Sequence, residues 1–292
     1  MTVLDGNETA EKYRQELTET VSELKDEGTM PTIAPILVGD DPGARIYYKQ
    51  KKKLAQNLGV RFAGVKLESS VGQAEIEETI EELNNDEDVH GLFIELPLPE
   101  GLRLEDLAPK IAPEKDIDCI NPASSGKLIA GGAARRSYEE LKNSPDVLLP
   151  ATPYGVMELL LSYEINLEKK ETVIVGGGAN GLPLAMLILR QGYSTVSICE
   201  YREENLVEKT KRADVLVSAV GKMDFITSEM ISEGTVIIDV GINETDSGIT
   251  GDVDYGNVKA KASYITPVPG GVGPMTTTMI MKNTVKAAKN LK

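Results

Sequence analysis

Val173-Ile-Val-Gly-Gly-Gly-Ala-Asn-Gly181 is an apolar run that ends in Gly176-x-Gly178-x-x-Gly181, with a segment of helical composition directly after it. That order of strand, glycine turn and helix is the fingerprint of a dinucleotide site. The glycines allow a tight turn, close approach of the backbone to a pyrophosphate, and close packing of the helix on the strand. Pro183 falls early in the helix, where amides have no helical partner to lose. Glu200 closes the next apolar run, Thr195 to Cys199, where an acid would accept from a ribose 2′-hydroxyl. The candidate cofactor residues are therefore Gly176, Gly177, Gly178, Gly181 and Glu200, with Tyr201 and Arg202 next along the chain. Glu200 repels a 2′-phosphate and Gly177 supplies no arginine to attract one, so these residues lean towards NAD; Arg202 and Lys211 are the compensating cations.

Apolar strands alternate with helical segments on both sides of this motif, the pattern of an open, mostly parallel α/β sheet. Before it come a polar amphipathic helix over 7–27, a strand from Thr32 to Val38, a helix from Ala44 to Leu58 closed by Gly59, and a strand from Val60 to Leu67. An acidic helix from Gln73 to Asn84 and a strand from Gly91 to Leu96 follow. Periodicity weakens from about Gly101 to Pro150. A second series then contains a helix near 154–163 and strands at 172–175, 195–199, 215–219 and 236–240, and a last helix spans 275–290. The expected fold is two α/β domains. An N-terminal catalytic domain covers 1–149 and is joined by the helix 275–292, and a Rossmann-type domain with a parallel sheet covers 150–268.

A chain of 292 residues supports two such cores. The net charge of -15 leaves no excess of cations to displace counterions from nucleic acid. No apolar run suits a membrane span, and the acidic N-terminus lacks the basic and apolar regions of a signal peptide. Cys119 and Cys199 match no metal or redox spacing, which points to a reduced, cytoplasmic setting. With His90 as the single imidazole, multi-histidine metal centres are excluded and no metal is expected. Proton transfer falls to Lys, Tyr, Asp, Glu or water.

Two further stretches carry chemistry. Ile265-Thr-Pro-Val-Pro-Gly-Gly-Val-Gly-Pro-Met-Thr276 packs three prolines and three glycines into a rigid loop whose backbone can approach a ligand closely. In Ile46-Tyr-Tyr-Lys-Gln-Lys-Lys-Lys53, Tyr47 and Lys51 stand four apart and share a helix face. Lysine is the natural acid–base group without histidine, provided burial lowers its pKa, and tyrosine can orient it or stack on a flat ring. The alternative is a solvated basic face, as expected for Lys49, Lys52 and Lys53. Glu95 and Asp118 end their segments where open α/β sheets place ligands, although single carboxylates there are often surface groups or caps. His90 precedes its strand and reads as a structural or surface imidazole.

Together these segments resemble the bifunctional methylenetetrahydrofolate dehydrogenase/methenyltetrahydrofolate cyclohydrolase family, the FolD proteins. The ordered blocks are Val38-Gly-Asp-Asp-Pro42 with Tyr47 and Lys51, His90-Gly-Leu-Phe-Ile-Glu-Leu-Pro-Leu-Pro99, Lys115-Asp-Ile-Asp118 and Pro150-Ala-Thr-Pro-x-Gly155. They continue through Ala213-Asp-Val-Leu-Val-Ser-Ala-Val-Gly221, Val236-Ile-Ile-Asp-Val-Gly-Ile-Asn243, Gly251-Asp-Val-Asp254 and the loop to Thr276. The resemblance implies a homodimer with a folate cleft between its domains. It implies hydride transfer from 5,10-methylenetetrahydrofolate to NADP, the family default, or to NAD, and then hydrolysis of the methenyl product to 10-formyltetrahydrofolate. By motif position Lys51 is the catalytic lysine, Tyr47 positions pterin and lysine, and Asp118 anchors the pterin edge. Ile94, Glu95 and Leu96 fall in the substrate block. Pro269, Gly270, Gly271 and Gly273 match the loop against the folate, and Gly176, Gly177, Gly178, Gly221 and Ile242 match cofactor contacts.

The chain departs from the family pattern at several of these positions. Glu95 stands where the family has glutamine, Ala44 for serine, Ala151 for cysteine, Cys119 for glycine, and Gly177 for an arginine. A carboxylate beside Lys51 holds an amine in its protonated form. The alternative expectation is therefore a dehydrogenase with weak or absent cyclohydrolase activity.

Overall fold

The computed structural model describes residues 1–130, 136–192, 194–245 and 248–291. Its strands are β1 (Thr2–Val3), β2 (Thr32–Val38), β3 (Arg61–Phe62), β4 (Val65–Leu67), β5 (Gly91–Ile94), β6 (Glu171–Val175), β7 (Thr195–Cys199), β8 (Val215–Ser218), β9 (Val236–Asp239), β10 (Asn243–Thr245), β11 (Gly248–Thr250) and β12 (Tyr264–Ile265). The chain divides into two compact units. One comprises Met1–Glu11, Gly131–Leu141 and Thr152–Thr276, the other Lys12–Ala130, Lys142–Ala151 and Thr277–Lys292.

The first unit is built on a six-stranded sheet in the order β1-β12-β9-β8-β6-β7, parallel throughout. β6 sits between β7, which follows it, and β8, which starts the opposite half, so the topological switch point lies at the carboxyl ends of β6 and β8. Strands β8 and β9 are buried along their length, as strands covered on both faces must be. One apolar cluster includes Val173, Val175, Leu216, Ile237 and Ile265. Met1–Glu11, expected with the first domain, groups here instead. β1 pairs in parallel with β12, and Gly6 N–H donates to Gly270 O at 2.9 Å. Strands of two residues, such as β1 and β12, carry no periodicity for a sequence reading to detect.

The second unit centres on β2, whose seven residues are all buried. β5 lies parallel on one edge, and β3 and β4 lie parallel on the other. The single strand expected over Val60 to Leu67 is thus two. Ala63 N–H donates to Ile33 O, so odd-numbered residues of β2 face this edge, and Pro35 brings no N–H to it. The ladder breaks opposite that proline. The helix Pro42–Leu58 starts two residues earlier than expected. Asp41 caps it by accepting from Ala44 N–H at 2.8 Å, and Gly59 ends it in the left-handed region. Beyond Gly43, its buried positions Ala44, Tyr48, Lys51, Ala55 and Leu58 alternate four and three apart. Lys51 therefore lies on the core-facing stripe, while Lys49, Lys52 and Lys53 are exposed.

His90 is a structural imidazole. It is buried, its Nδ1 accepts from Thr32 N–H at 3.3 Å, and burial followed by the nearby Lys115 charge keeps its pKa below the usual value. The last helix spans Val272–Asn290, beginning three residues before the expected start. Pro274 fits because a first-turn amide needs no helical acceptor. No helix among the described residues is long and apolar enough to cross a membrane.

Candidate active site

The site residues expected from the sequence fall into two groups, one on each unit. On the second unit, β2 leads into the helix bearing Lys51, and β5 leads into Glu95. Lys51 Nζ lies 2.7 Å from Glu95 Oε2, with both residues buried. The ammonium also sits 4.9 Å from the centre of the Phe93 ring and 5.8 Å from that of Tyr47, positions that suit cation–π attraction. Glu95 Oε1 is buried with no hydrogen-bond partner among the described residues. Burial raises the Glu95 pKa, against the pull of Lys51.

Asp118 belongs to the segment that continues the β5 edge, where Leu92 bridges to Asp116. Its Oδ1 accepts from Ala151 N–H at 3.4 Å. The residue keeps some accessible surface, but its carboxyl is deep among protein atoms. Burial, followed by the Asp116 charge, pushes its pKa up to about 7, against the pull of Lys51. Cys119, which follows, takes φ 57°, a conformation glycine adopts without strain. Its thiol pKa is raised, chiefly by burial.

The Asp118 shift predicts a pH dependence of stability. An unfolded carboxyl releases its proton near pH 4 and the folded one near 7, so between these limits the folded chain binds more protons and loses stability as pH rises. Asp118→Asn removes that loss. The variant should gain roughly 1–2 kcal/mol over wild type between about pH 5 and pH 7.5, after allowance for solvent screening. Urea unfolding at the two pH values measures the difference, and an equal effect at both would refute the shift.

The remaining sequence-derived substrate residues divide. Ile94 is buried in the apolar cluster with Ile36 and Val38, whereas Leu96 is half exposed. Pro269, Gly270, Gly271 and Gly273 all lie on the first unit. Gly271 N–H donates to Pro267 O at 2.8 Å, which closes the loop on itself. Pro269 is exposed and Gly273 has open space where a Cβ would project.

At the switch point of the first unit, the glycine turn has the shape a dinucleotide requires. A Cβ on Gly176 would overlap the Ala219 carbonyl, and one on Gly181 would overlap the Gly176 carbonyl. Gly178 is exposed beside open space. The helix Gly181–Gln191 starts at the turn with no side-chain cap from Asn180 among the described residues, Leu182 N–H donates to Gly178 O at 3.4 Å, and Pro183 brings no N–H. A Cβ on Gly177 would stand 3.1 Å from Glu200 Oε1, which places the exposed carboxylate against the turn. Tyr201 lies beside Glu200, with Lys222 Nζ 3.7 Å and the Arg202 guanidinium 5.1 Å from its ring centre. Gly221 and Ile242 follow β8 and β9 and are exposed at the same end of the sheet. These residues fit a nicotinamide dinucleotide.

Phe93, Asp239, Asp252 and Lys222 escaped the sequence reading. Phe93 looks like any strand residue. The acids had a readable signal in the glycines beside them, Gly241 and Gly251, which mark backbone packed tightly on something.

The tetrahydrofolate dehydrogenase/cyclohydrolase catalytic domain matches residues 4–118, and the NAD(P)-binding domain of the same family matches residues 150–292. The chain is similar to the bifunctional protein FolD of Bacillus subtilis (strain 168), with 43% identity over 290 residues that cover 99% of this chain and 98% of that one. Among solved structures it is similar to the FolD enzyme of Campylobacter jejuni, with 41% identity, a TM-score of 0.91 and 99% of each chain covered. It is also similar to the Trypanosoma brucei enzyme in complex with NADP and an inhibitor, with 32% identity, a TM-score of 0.89, and 99% and 97% covered.

Proposed function

Because the chain belongs to the tetrahydrofolate dehydrogenase/cyclohydrolase family, we propose that it performs both reactions of that name in one-carbon metabolism. It oxidises 5,10-methylenetetrahydrofolate to the methenyl cation and hydrolyses that cation to 10-formyltetrahydrofolate. The observation that supports this most is the buried Lys51–Glu95 pair beside Tyr47. The functional division proposed is 1–149 with 275–292 for folate chemistry and 150–268 for the dinucleotide.

A nicotinamide dinucleotide would supply the hydride acceptor, and the Gly176–Gly181 turn would hold its pyrophosphate. Tyr47 stacks on the pterin, and Asp118 accepts hydrogen bonds from the pterin edge, a role that favours its ionised form. Loss of hydride leaves a delocalised cation and requires no proton transfer. The negative charge of Glu95 favours that cation. In the hydrolysis, Lys51 as free amine takes a proton from the attacking water. The carbon–N5 bond then breaks as the new hydroxyl loses its proton and N5 gains one, so a single proton is released overall.

A second reading, a dehydrogenase with weak cyclohydrolase activity, is favoured by the 2.7 Å separation of Lys51 and Glu95, because the carboxylate favours the ammonium over the free amine. The test is formation of the methenyl chromophore from tetrahydrofolate, formaldehyde and dinucleotide, followed by its enzyme-dependent decay. Decay at the buffer rate would select the second reading, and no chromophore with either cofactor would reject both.

The cofactor is a nicotinamide dinucleotide, and we propose NAD as the better substrate. Glu200 beside Gly177 accepts from a ribose 2′-hydroxyl and repels a 2′-phosphate, while Arg202 and Lys222 oppose that repulsion. Glu200→Ser is expected to shift the NADP/NAD ratio of kcat/KM towards NADP by roughly tenfold, about the effect of one charge interaction at a partly exposed site. Initial rates at equal cofactor concentration measure it, and an unchanged ratio would remove the role of Glu200. We propose a cytoplasmic homodimer as the working form.

A further inference from the structure

The strongest unassigned feature is a buried carboxylate inside the dinucleotide-binding unit. Asp252 is completely buried. Its Oδ2 accepts from Ser218 Oγ at 3.0 Å, Val220 N–H at 2.7 Å and Gly221 N–H at 3.1 Å. Its Oδ1 accepts from Lys222 N–H at 2.8 Å and Asn243 Nδ2 at 3.0 Å. Three consecutive backbone amides therefore converge on one side chain, the arrangement that elsewhere forms a nest for a bound anion. Here the chain supplies its own anion.

These hydrogen bonds join two loops that the sheet alone leaves separate. Val220, Gly221 and Lys222 follow β8, and Asn243 comes shortly after β9. Gly241 lies against the carboxylate so closely that a Cβ there would overlap it. A second buried acid anchors Asp252 in turn. Asp239 Oδ1 accepts from Asp252 N–H at 3.0 Å and Gly241 N–H at 2.9 Å, and its Oδ2 accepts from Val253 N–H at 2.9 Å. Asp239 N–H itself donates to Thr266 Oγ1 at 2.7 Å, at the entrance to the proline–glycine loop.

The buried side of this construction faces the acid, and the opposite side is open. Gly221 is exposed with nothing within 4 Å of a projected Cβ, and Ile242 is 48% exposed. Both stand at the carboxyl ends of β8 and β9. Across the switch point, Gly176 packs against the carbonyl of Ala219, next to the clamped amides.

We propose that Asp252 is a positioning residue for the dinucleotide. It holds Gly221 and Ile242 as a preformed wall opposite the Gly176–Gly181 turn. Binding then avoids the entropic cost of ordering two loops, which reduces affinity when a site is left flexible. The inference rests on the reading that this crevice takes the dinucleotide.

Asp252→Asn retains the shape but replaces one acceptor oxygen by an NH2 group. Whichever way the amide turns, at least two donors lose their acceptor. The Kd for the reduced dinucleotide, read from its fluorescence, is expected to rise roughly ten- to a hundredfold, as two lost hydrogen bonds imply. The KM for methylenetetrahydrofolate and the dinucleotide-independent hydrolysis of methenyltetrahydrofolate should stay within about twofold of wild type, because a positioning role of this kind acts on the dinucleotide step alone. Asn243→Ala removes a single donor and should weaken dinucleotide binding by roughly three- to tenfold. It decides the matter on the same criteria if Asp252→Asn does not fold. Unchanged dinucleotide affinity, or folate KM and hydrolysis that deteriorate in parallel with it, would overturn the proposal. A wild-type chain that binds dinucleotide but turns over no folate would refute the enzymatic reading and leave this one to the binding series. A wild-type chain that binds no dinucleotide would end both.

Discussion

Lys51→Met is expected to slow methenyltetrahydrofolate hydrolysis by at least about 100-fold, the lower end of what a positioned acid–base group contributes. Met matches the length and apolar stem of lysine, so Ala44, Tyr48 and Ala55 on the buried stripe keep their packing. Only the amine disappears. The hydride step moves no proton, and its rate should fall by a smaller factor than hydrolysis. Stability carries a second signature. Without the ammonium, Glu95 is a buried carboxyl with no cation, its pKa rises further above the usual range, and the folded chain binds a proton that the unfolded chain releases. Stability must then fall as pH increases, so the variant should lose roughly 1–3 kcal/mol near neutral pH and less in mild acid. Chromophore decay and urea unfolding measure the two effects. Hydrolysis at the wild-type rate in a folded Lys51→Met protein would remove lysine from the chemistry.

Glu95→Gln is expected to move the two activities in opposite directions. The Lys51 ammonium is 2.7 Å from the Glu95 carboxylate, and removing that anion favours the free amine. Hydrolysis near pH 7 should rise severalfold. The dehydrogenase should instead slow severalfold, because a nearby negative charge no longer favours the cation left by hydride departure. Paired pH–rate profiles of wild type and variant measure both. Parallel gains, parallel losses or no change would mean that the pair does not govern the lysine during catalysis.

Much of this was readable in one dimension because the local signals agreed with the tertiary result. Glycine spacing after an apolar run marks the β6 turn, and the separation of Tyr47 from Lys51 marks one helix face. The helix stop at Gly59 and the helix start at Gly181 follow from backbone geometry. Pairings between distant segments had no such signal. Nothing in Thr2–Val3 identifies Tyr264–Ile265 as its partner, and the break between β3 and β4 depends on which edge of β2 receives Pro35. Asp252 stands in the Gly251–Asp254 block with no role that local spacing assigns to it. Its meaning depends on amides 30 to 32 residues earlier in the chain, gathered by the sheet.

By itself the amino-acid order determined the α/β class, the dinucleotide turn, the family and the shared helix face of Tyr47 and Lys51. These depend on short-range spacing, which backbone dihedrals and side-chain periodicity translate directly into shape. Only the tertiary structure decided that Glu95 lies within hydrogen-bonding distance of Lys51 and that Asp118 is deep enough to hold a proton to about pH 7. Burial and the distance between charges set both, and neither exists until strands and helices remote in the chain have packed together.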